Sequence, residues 1–210
     1  SDNIYVSGLT YGGLDGNTNY GNGDIILIKY SENGTKQWTK QLGTSEKERG
    51  YGVTTDLSGN IYVTGYTYGD LDGNTNYGEY DIFLVKYNSS GTKQWSKLLG
   101  TSSNDYAHGV TTDSSDNIYV TGETSGDLDG NTFYGATDIF LVKYNSSGTK
   151  QWTKQPGTRF DEQGFGVGVD SSDNIYVTGE TSGGIKDGWV YSMGNNDMFL
   201  VKYNSDGVKQ

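Results

Sequence analysis

The chain has 210 residues, a formal net charge of −11 and a sequence pI near 4.4. That balance argues against nucleic acid and anionic membrane surfaces as partners, since both reward Lys and Arg. The lack of cysteine excludes a disulfide framework, thiolate catalysis and a zinc–thiolate site. No run approaches the ~18 apolar residues of a membrane helix, and 33 glycines, 18 tyrosines and a single proline favour short strands and tight turns.

The chain begins in mid-unit, without a basic-then-apolar leader, so any signal peptide is expected to lie upstream of it. Its first element is NIYVSG (residues 3–8), a strand rich in β-branched and aromatic residues that we label b. A long polar loop leads to DIILIKY from Asp24, strand c, where consecutive apolar residues predict burial on both faces. The turn SENG follows, then strand d, whose Trp38 sits among lysines as on a half-exposed outer edge. After a d–a loop comes GYGVTTD (residues 50–56), a glycine-rich strand a, and the turn LSGN opens the next strand b.

From there the order repeats. Trp38, Trp95 and Trp152 are 57 apart, as are Ile4, Ile61, Ile118 and Ile175. DIFLVKYNSSGTKQW occurs twice, at 81–95 and 138–152, and DMFLVKYNSDGVKQ closes the chain. A fixed period of this size denotes a solenoid, propeller or array. The units run 1–49, 50–106, 107–163 and 164–210, the first and last incomplete. Four antiparallel strands per unit, the middle ones buried on both faces, predict an all-β β-propeller of four-stranded blades; a parallel β-helix is the competing architecture. The first unit lacks strand a and the last most of strand d. Ring closure is therefore expected to need more sequence, another subunit or an open array.

Together the a–b turns, NIYVTG, DIFLVKYNSSGTKQW and the GT that follows resemble the SBBP β-propeller repeat, common in bacterial and some archaeal surface proteins. The resemblance covers essentially the whole chain. It implies an extracellular or cell-surface propeller and no particular activity.

The b–c loops carry the pattern richest in oxygen ligands. The second unit has Asp70, Asp72, Asn74 and Asp81, and the third has Asp127, Asp129, Asn131 and Asp138, at positions 1, 3, 5 and 12. The first keeps Asp15, Asn17 and Asp24, and in the fourth only Asp187 and Asp197 survive. Such spacing is how a short loop wraps calcium, and it resembles the loops of EF-hands and FG-GAP repeats. It departs from them in having glycine at position 4 and Asp at position 12. The alternative is that Asp, Asn and Gly here only form turns.

Glu48, Asp105 and Glu162 recur in the d–a loops, which in a propeller open on the same face as the b–c loops, so these carboxylates could approach the b–c loops. As exposed acids they are expected instead to be solvated. Lys29, Lys86, Lys143 and Lys202 could pair with them or snorkel from the blade edge. His108, the single histidine, fills an aromatic slot shared with Tyr51 and Phe165 and reads as packing. Asn33, Asn88 and Asn145 match the glycosylation pattern but also suit the c–d turns.

With no acid–base pair confined to one repeat, an enzyme is not expected. The expected function is a structural or protein-binding module, calcium-stabilised where the loops hold metal. A lectin-like propeller, with Tyr77, Tyr134 and Trp189 stacking on glycans, and the subunit of an extracellular filament built from further copies of the chain are the alternatives.

Overall fold

The computed structural model describes residues 3–183 and 196–210. It contains fourteen strands among those residues: β1 (Ile4–Thr10), β2 (Asp24–Tyr30), β3 (Lys36–Leu42), β4 (Glu48–Thr55), β5 (Ile61–Thr67), β6 (Asp81–Tyr87), β7 (Lys93–Leu99), β8 (Asp105–Thr112), β9 (Ile118–Thr124), β10 (Asp138–Tyr144), β11 (Lys150–Lys154), β12 (Glu162–Val169), β13 (Ile175–Thr181) and β14 (Asp197–Tyr203). They form four antiparallel sheets in sequence order: β1-β2-β3, β4-β5-β6-β7, β8-β9-β10-β11 and β12-β13-β14. These are propeller blades, and the second and third are complete.

The strand register follows the repeat. Gly65 lies opposite Phe83 and Gly122 opposite Phe140, and at both positions a Cβ would fall 1.9 Å from a main-chain carbonyl oxygen of strand a, that of Arg49 or Tyr106, so the close approach of strand a requires glycine. Strand a carries a bulge at the same place in each copy, between Gly50 and Gly52, Ala107 and Gly109, and Gly164 and Gly166. Both faces of strand c are buried in the complete blades, as the unbroken apolar run predicts.

The core is a series of interfaces between consecutive blades. Ile25 and Leu27 of β2 pack against Ile61, Val63, Phe83 and Val85 of the second blade. The same contact recurs as Ile82 and Leu84 against Ile118, Val120, Phe140 and Val142. A third copy sets Ile139 and Leu141 against Ile175, Val177, Phe199 and Val201. Ile61, Val63, Leu84 and Val85 are essentially inaccessible to solvent, as the sequence predicts for residues between blades.

Each a–b turn is locked by one aspartate. Asp113 accepts hydrogen bonds from the Ser115 and Asn117 amides, the Asn117 side chain and the buried Tyr119 hydroxyl. Asp56 and Asp170 hold Tyr62 and Tyr176 in the same way. In the c–d turn, the Asn88 side chain accepts from Ser90 and Thr92, and Gly91 takes φ +77°. The three Asn-x-Ser/Thr matches are thus turns built on Asx hydrogen bonds.

Candidate functional site

Strands b and d run toward one end of each blade, and the b–c and d–a loops meet there. Main-chain bonds stitch the b–c loop of one blade to the d–a loop that opens the next: the Glu48 amide donates to the Gly23 carbonyl and the Asp105 amide to the Tyr80 carbonyl. The acids that the sequence nominates belong to these two loop types.

The three described b–c loops fold alike. Asp15, Asp72 and Asp129 adopt left-handed φ of 52°, 59° and 57°, each followed by a left-handed glycine. Beneath the last two turns, Leu71 and Leu128 are driven fully into the core as anchors. The side-chain oxygens then find partners within the blade. Asp72 forms an ion pair with Lys93 and accepts from Ser96 Oγ at 2.7 Å, and Asp129 pairs with Lys150 and Thr153 in the same way. Asp15 binds Lys36 at 2.6 Å and Thr39 Oγ1 at 2.5 Å. These hydrogen bonds hold the Asp15 carboxyl below its ordinary pKa, the Lys36 bond contributing most.

Asp70 accepts the Asn76 amide and Asp127 the Phe133 amide. Asn17, Asn74 and Asn131 donate to the carbonyls of Leu14, Leu71 and Leu128. Among the described residues no three acidic or imidazole side chains converge as a metal-holding group. As placed, the carboxylates at positions 1 and 3 are engaged by side chains and amides of their own blade, and a cation at Asp72 would have to displace Lys93. Asp187 of the fourth loop lies outside the described residues.

The position-12 residues instead turn toward the recurrent d–a acids. Asp24, Asp81 and Asp138 are fully buried, as are Glu48, Asp105 and Glu162. This corrects the expectation of solvated loop acids: strand a starts two residues early, at Glu48, Asp105 and Glu162, which places these side chains between blades. Asp24 Oδ1 and Glu48 Oε2 both face the Cα of Gly43, where a Cβ would lie 2.3 Å and 3.0 Å from them. Threonine hydroxyls satisfy the second acid of each pair: Thr67 donates to Glu48, Thr124 to Asp105 and Thr181 to Glu162. The Oδ1 atoms of Asp24, Asp81 and Asp138 accept no hydrogen bond. Burial pushes Asp81 up to about 6, and the Asp105 charge adds to the shift.

The recurrent lysines do not pair with these acids. Lys29, Lys86 and Lys143 point to the opposite end, each donating to a c–d turn carbonyl of the next blade, that of Ser89, Ser146 or Ser205. A polar cleft of about 490 Å³ opens at that end, lined by Tyr5, Lys29, Asp56, Leu57 and Ser89 among others.

One cluster on the loop end breaks the repeat. Tyr66, nearly buried, meets Tyr80 at 5.0 Å and Tyr106 at 5.2 Å between ring centroids, and Tyr68 packs on Tyr80 at 5.2 Å. Tyr51 links it at 5.9 Å to an inner row in which His108 stands edge-on to Tyr51 and Phe165. Arg49 lies over the Tyr51 ring, and Lys47 is held above the usual lysine range beside the Tyr66 hydroxyl. Burial and the neighbouring tyrosines push Tyr106 up to about 12.

Elsewhere in the repeat the Tyr66 position is Leu9, Glu123 or Glu180, and the Tyr80 position is Gly23, Thr137 or Asn196. Reasoning from the period passes over this site because it averages the copies; a position-by-position comparison for departures would have found it. Around the cluster, Tyr11, Tyr20, Tyr68, Tyr77 and Tyr134 of the b–c loops are all exposed. Trp189 lies outside the described residues.

A crystal structure of a xylan beta-1,4-xylosidase from Bacillus Halodurans C-125 is similar over all of this chain and 41% of that one, at 12% identity and a TM-score of 0.48. Among curated proteins, the chain is 26% identical over 216 residues to an uncharacterized WD repeat-containing protein, L264, of Acanthamoeba polyphaga mimivirus, covering 80% of this chain and 16% of the relative. It is 25% identical over 172 residues to the regulatory protein FlaEY of Caulobacter vibrioides, covering 74% and 18%. The chain thus spans less than a fifth of the length of these curated relatives. A family model described as Beta-propeller repeat, SBBP, matches residues 37–72, 94–129 and 151–186. Those matches take in just over half of the chain and fall at one spacing in successive blades, so the protein belongs to the SBBP β-propeller repeat family.

Proposed function

We propose that the protein is a non-enzymatic, protein-binding propeller module of an extracellular or cell-surface polypeptide, with the loop end as its binding face. The observation that carries this reading is the symmetry-breaking tyrosine cluster between the second and third blades, set among exposed loop tyrosines. Tyrosine offers a broad apolar ring with a polar tip at low entropic cost, which suits it to interfaces. The acidic residues, by contrast, repeat in every complete blade, as structural groups do. The names of the two relatives, one WD repeat-containing and one regulatory, agree with an interaction role and specify no ligand.

A displayed-peptide library selected against the protein tests the reading. Selected peptides should lose binding to a Tyr68→Ala, Tyr80→Ala variant and keep it with Leu57→Ala, which alters the opposite end. Equal binding to all three proteins would overturn it. Glycan-array binding without peptide binding would instead assign the loop tyrosines to sugars. The calcium role is tested separately: a calcium-dependent rise in Tm, lost in an Asp72→Ala, Asp129→Ala variant, is the result that would assign it.

A further inference from the structure

Among the described residues, six buried side-chain oxygens make no hydrogen bond. Three of them, the Oδ1 atoms of Asp24, Asp81 and Asp138, recur with the repeat. The other three, Asn104 Oδ1, Glu123 Oε2 and Thr137 Oγ1, all belong to the third blade and the loop that opens it. A buried oxygen left without a donor costs free energy, so folded proteins keep few of them.

Strand register brings these three side chains to one place. Glu123 of β9 lies opposite Tyr106 of β8 on one side and Ile139 of β10 on the other. Asn104 and Thr137 each stand two residues before those partners, on the face that Glu123 shares. The same positions in the second blade are Lys47, Tyr66 and Tyr80, and there the side chains meet. Tyr66 lies 5.0 Å from Tyr80, and the Lys47 side chain sits beside the Tyr66 hydroxyl.

In the second blade, then, the chain's own ammonium group occupies this place. In the third, Asn104 stands where the lysine would supply it, and Glu123 brings a carboxylate. The ion-pair contact of Glu123 among the described residues is His108 Nε2, 3.8 Å from Oε1 and beyond hydrogen-bond length. The Glu123 side chain keeps 13% of its exposure, so the place is reached from solvent along that carboxylate.

We propose that this site takes a primary ammonium group, that of a lysine side chain on the protein which the loop end binds. An ammonium carries three N–H donors and no acceptor, one donor for each unpartnered oxygen. The planar guanidinium of arginine is matched instead to the two oxygens of one carboxylate, and calcium takes ~6–8 oxygen ligands. Tyr106, paired with Glu123, joins the site to the tyrosine cluster, where apolar side chains of the same partner rest. The source of the lysine rests on the protein-binding reading, whereas the ammonium site is tested without it.

The probe is n-butylammonium chloride, titrated at constant ionic strength and followed by the NMR shifts of the Asn104 and Ser125 amides. Saturable shifts are expected at millimolar concentrations. Glu123→Gln and Thr137→Val preserve side-chain shape, and each should weaken binding, the first by about tenfold or more. Tetramethylammonium, which carries the charge without N–H donors, should not compete. No saturable shift in the wild type, equal binding by both variants, or competition by tetramethylammonium would each overturn the proposal. Peptides selected on the loop end should in turn lose binding when their lysine is acetylated. Peptides that need the tyrosines but tolerate acetylation would overturn the lysine assignment and leave the protein-binding reading intact. Butylammonium binding without any selected peptide would support the site and overturn that reading instead.

Discussion

At Asp81 the fold holds a carboxyl group beside Asp105 with no solvent to carry its charge. Burial favours the neutral acid, and the neighbouring carboxylate favours it further. The folded state keeps this proton up to about pH 6, whereas the ordinary value is 3.8. Its contribution to stability is therefore whole below pH 3.8 and is lost as pH rises through 6. Burial shifts Glu48, Asp105, Asp138 and Glu162 in the same direction. Asp170 opposes them: hydrogen bonds from Asn174 hold it at about 2, so its contribution is present above 3.8 and fades as pH falls toward 2. Stability should accordingly be greatest near pH 5, with Tm falling by several degrees between pH 5 and 7.5. Asp81→Asn, neutral at every pH, should raise Tm at pH 7.5 and flatten that slope. A Tm that climbs from pH 5 to 7.5 in the wild type would contradict this account.

The hairpin between strands a and b depends on Asp113, which joins a turn to the core. Its carboxylate satisfies the Tyr119 hydroxyl, and that ring is fully buried. Asp113→Ala should cost about 2–3 kcal/mol, since it strips the turn amides and leaves a buried hydroxyl unpaired. Tyr119→Phe removes the hydroxyl with its partner intact. The double variant should then cost less than the two single changes summed, by about 1 kcal/mol in a urea-unfolding cycle. Additive losses would mean that the Tyr119 bond contributes nothing to the turn. For the b–c loops, Lys36, Lys93 and Lys150 perform the comparable closure, each anchoring a loop aspartate from the first residue of strand d, at the outer edge of its blade.

For the whole molecule, stability resides between blades, because each sheet buries its apolar faces against its neighbours. Position in the series should therefore decide the cost of one and the same substitution. Leu84→Ala, in a closed interface, should destabilise by about 3 kcal/mol. Leu200→Ala, at the equivalent place on an outward face, should change monomer stability by less than about 0.5 kcal/mol. Chemical unfolding at a concentration where the protein is monomeric compares them directly. Equal losses would show that the fourth blade's face is covered within the single chain.

By itself the sequence determined the period, the strand order and the blade: Ile61, Val63, Leu84 and Val85 were legible as interior because apolar runs and tight turns are local signals that recur every 57 residues. The turn role of Asn88 and Asn145 was legible for the same reason. What only the tertiary structure decided is which recurring groups meet across blades, because the repeat names its members without saying what faces them. Asp72 shares a loop with Asp81, yet the fold gives Asp72 to Lys93 and turns Asp81 toward Asp105 of the next blade. Glu48 looked like a solvated acid until the start of its strand carried it between sheets. Tyr66 and Tyr106, forty residues apart, become neighbours only when the second blade packs on the third. Contacts of that kind arise from docking one sheet on another, and no local pattern encodes them.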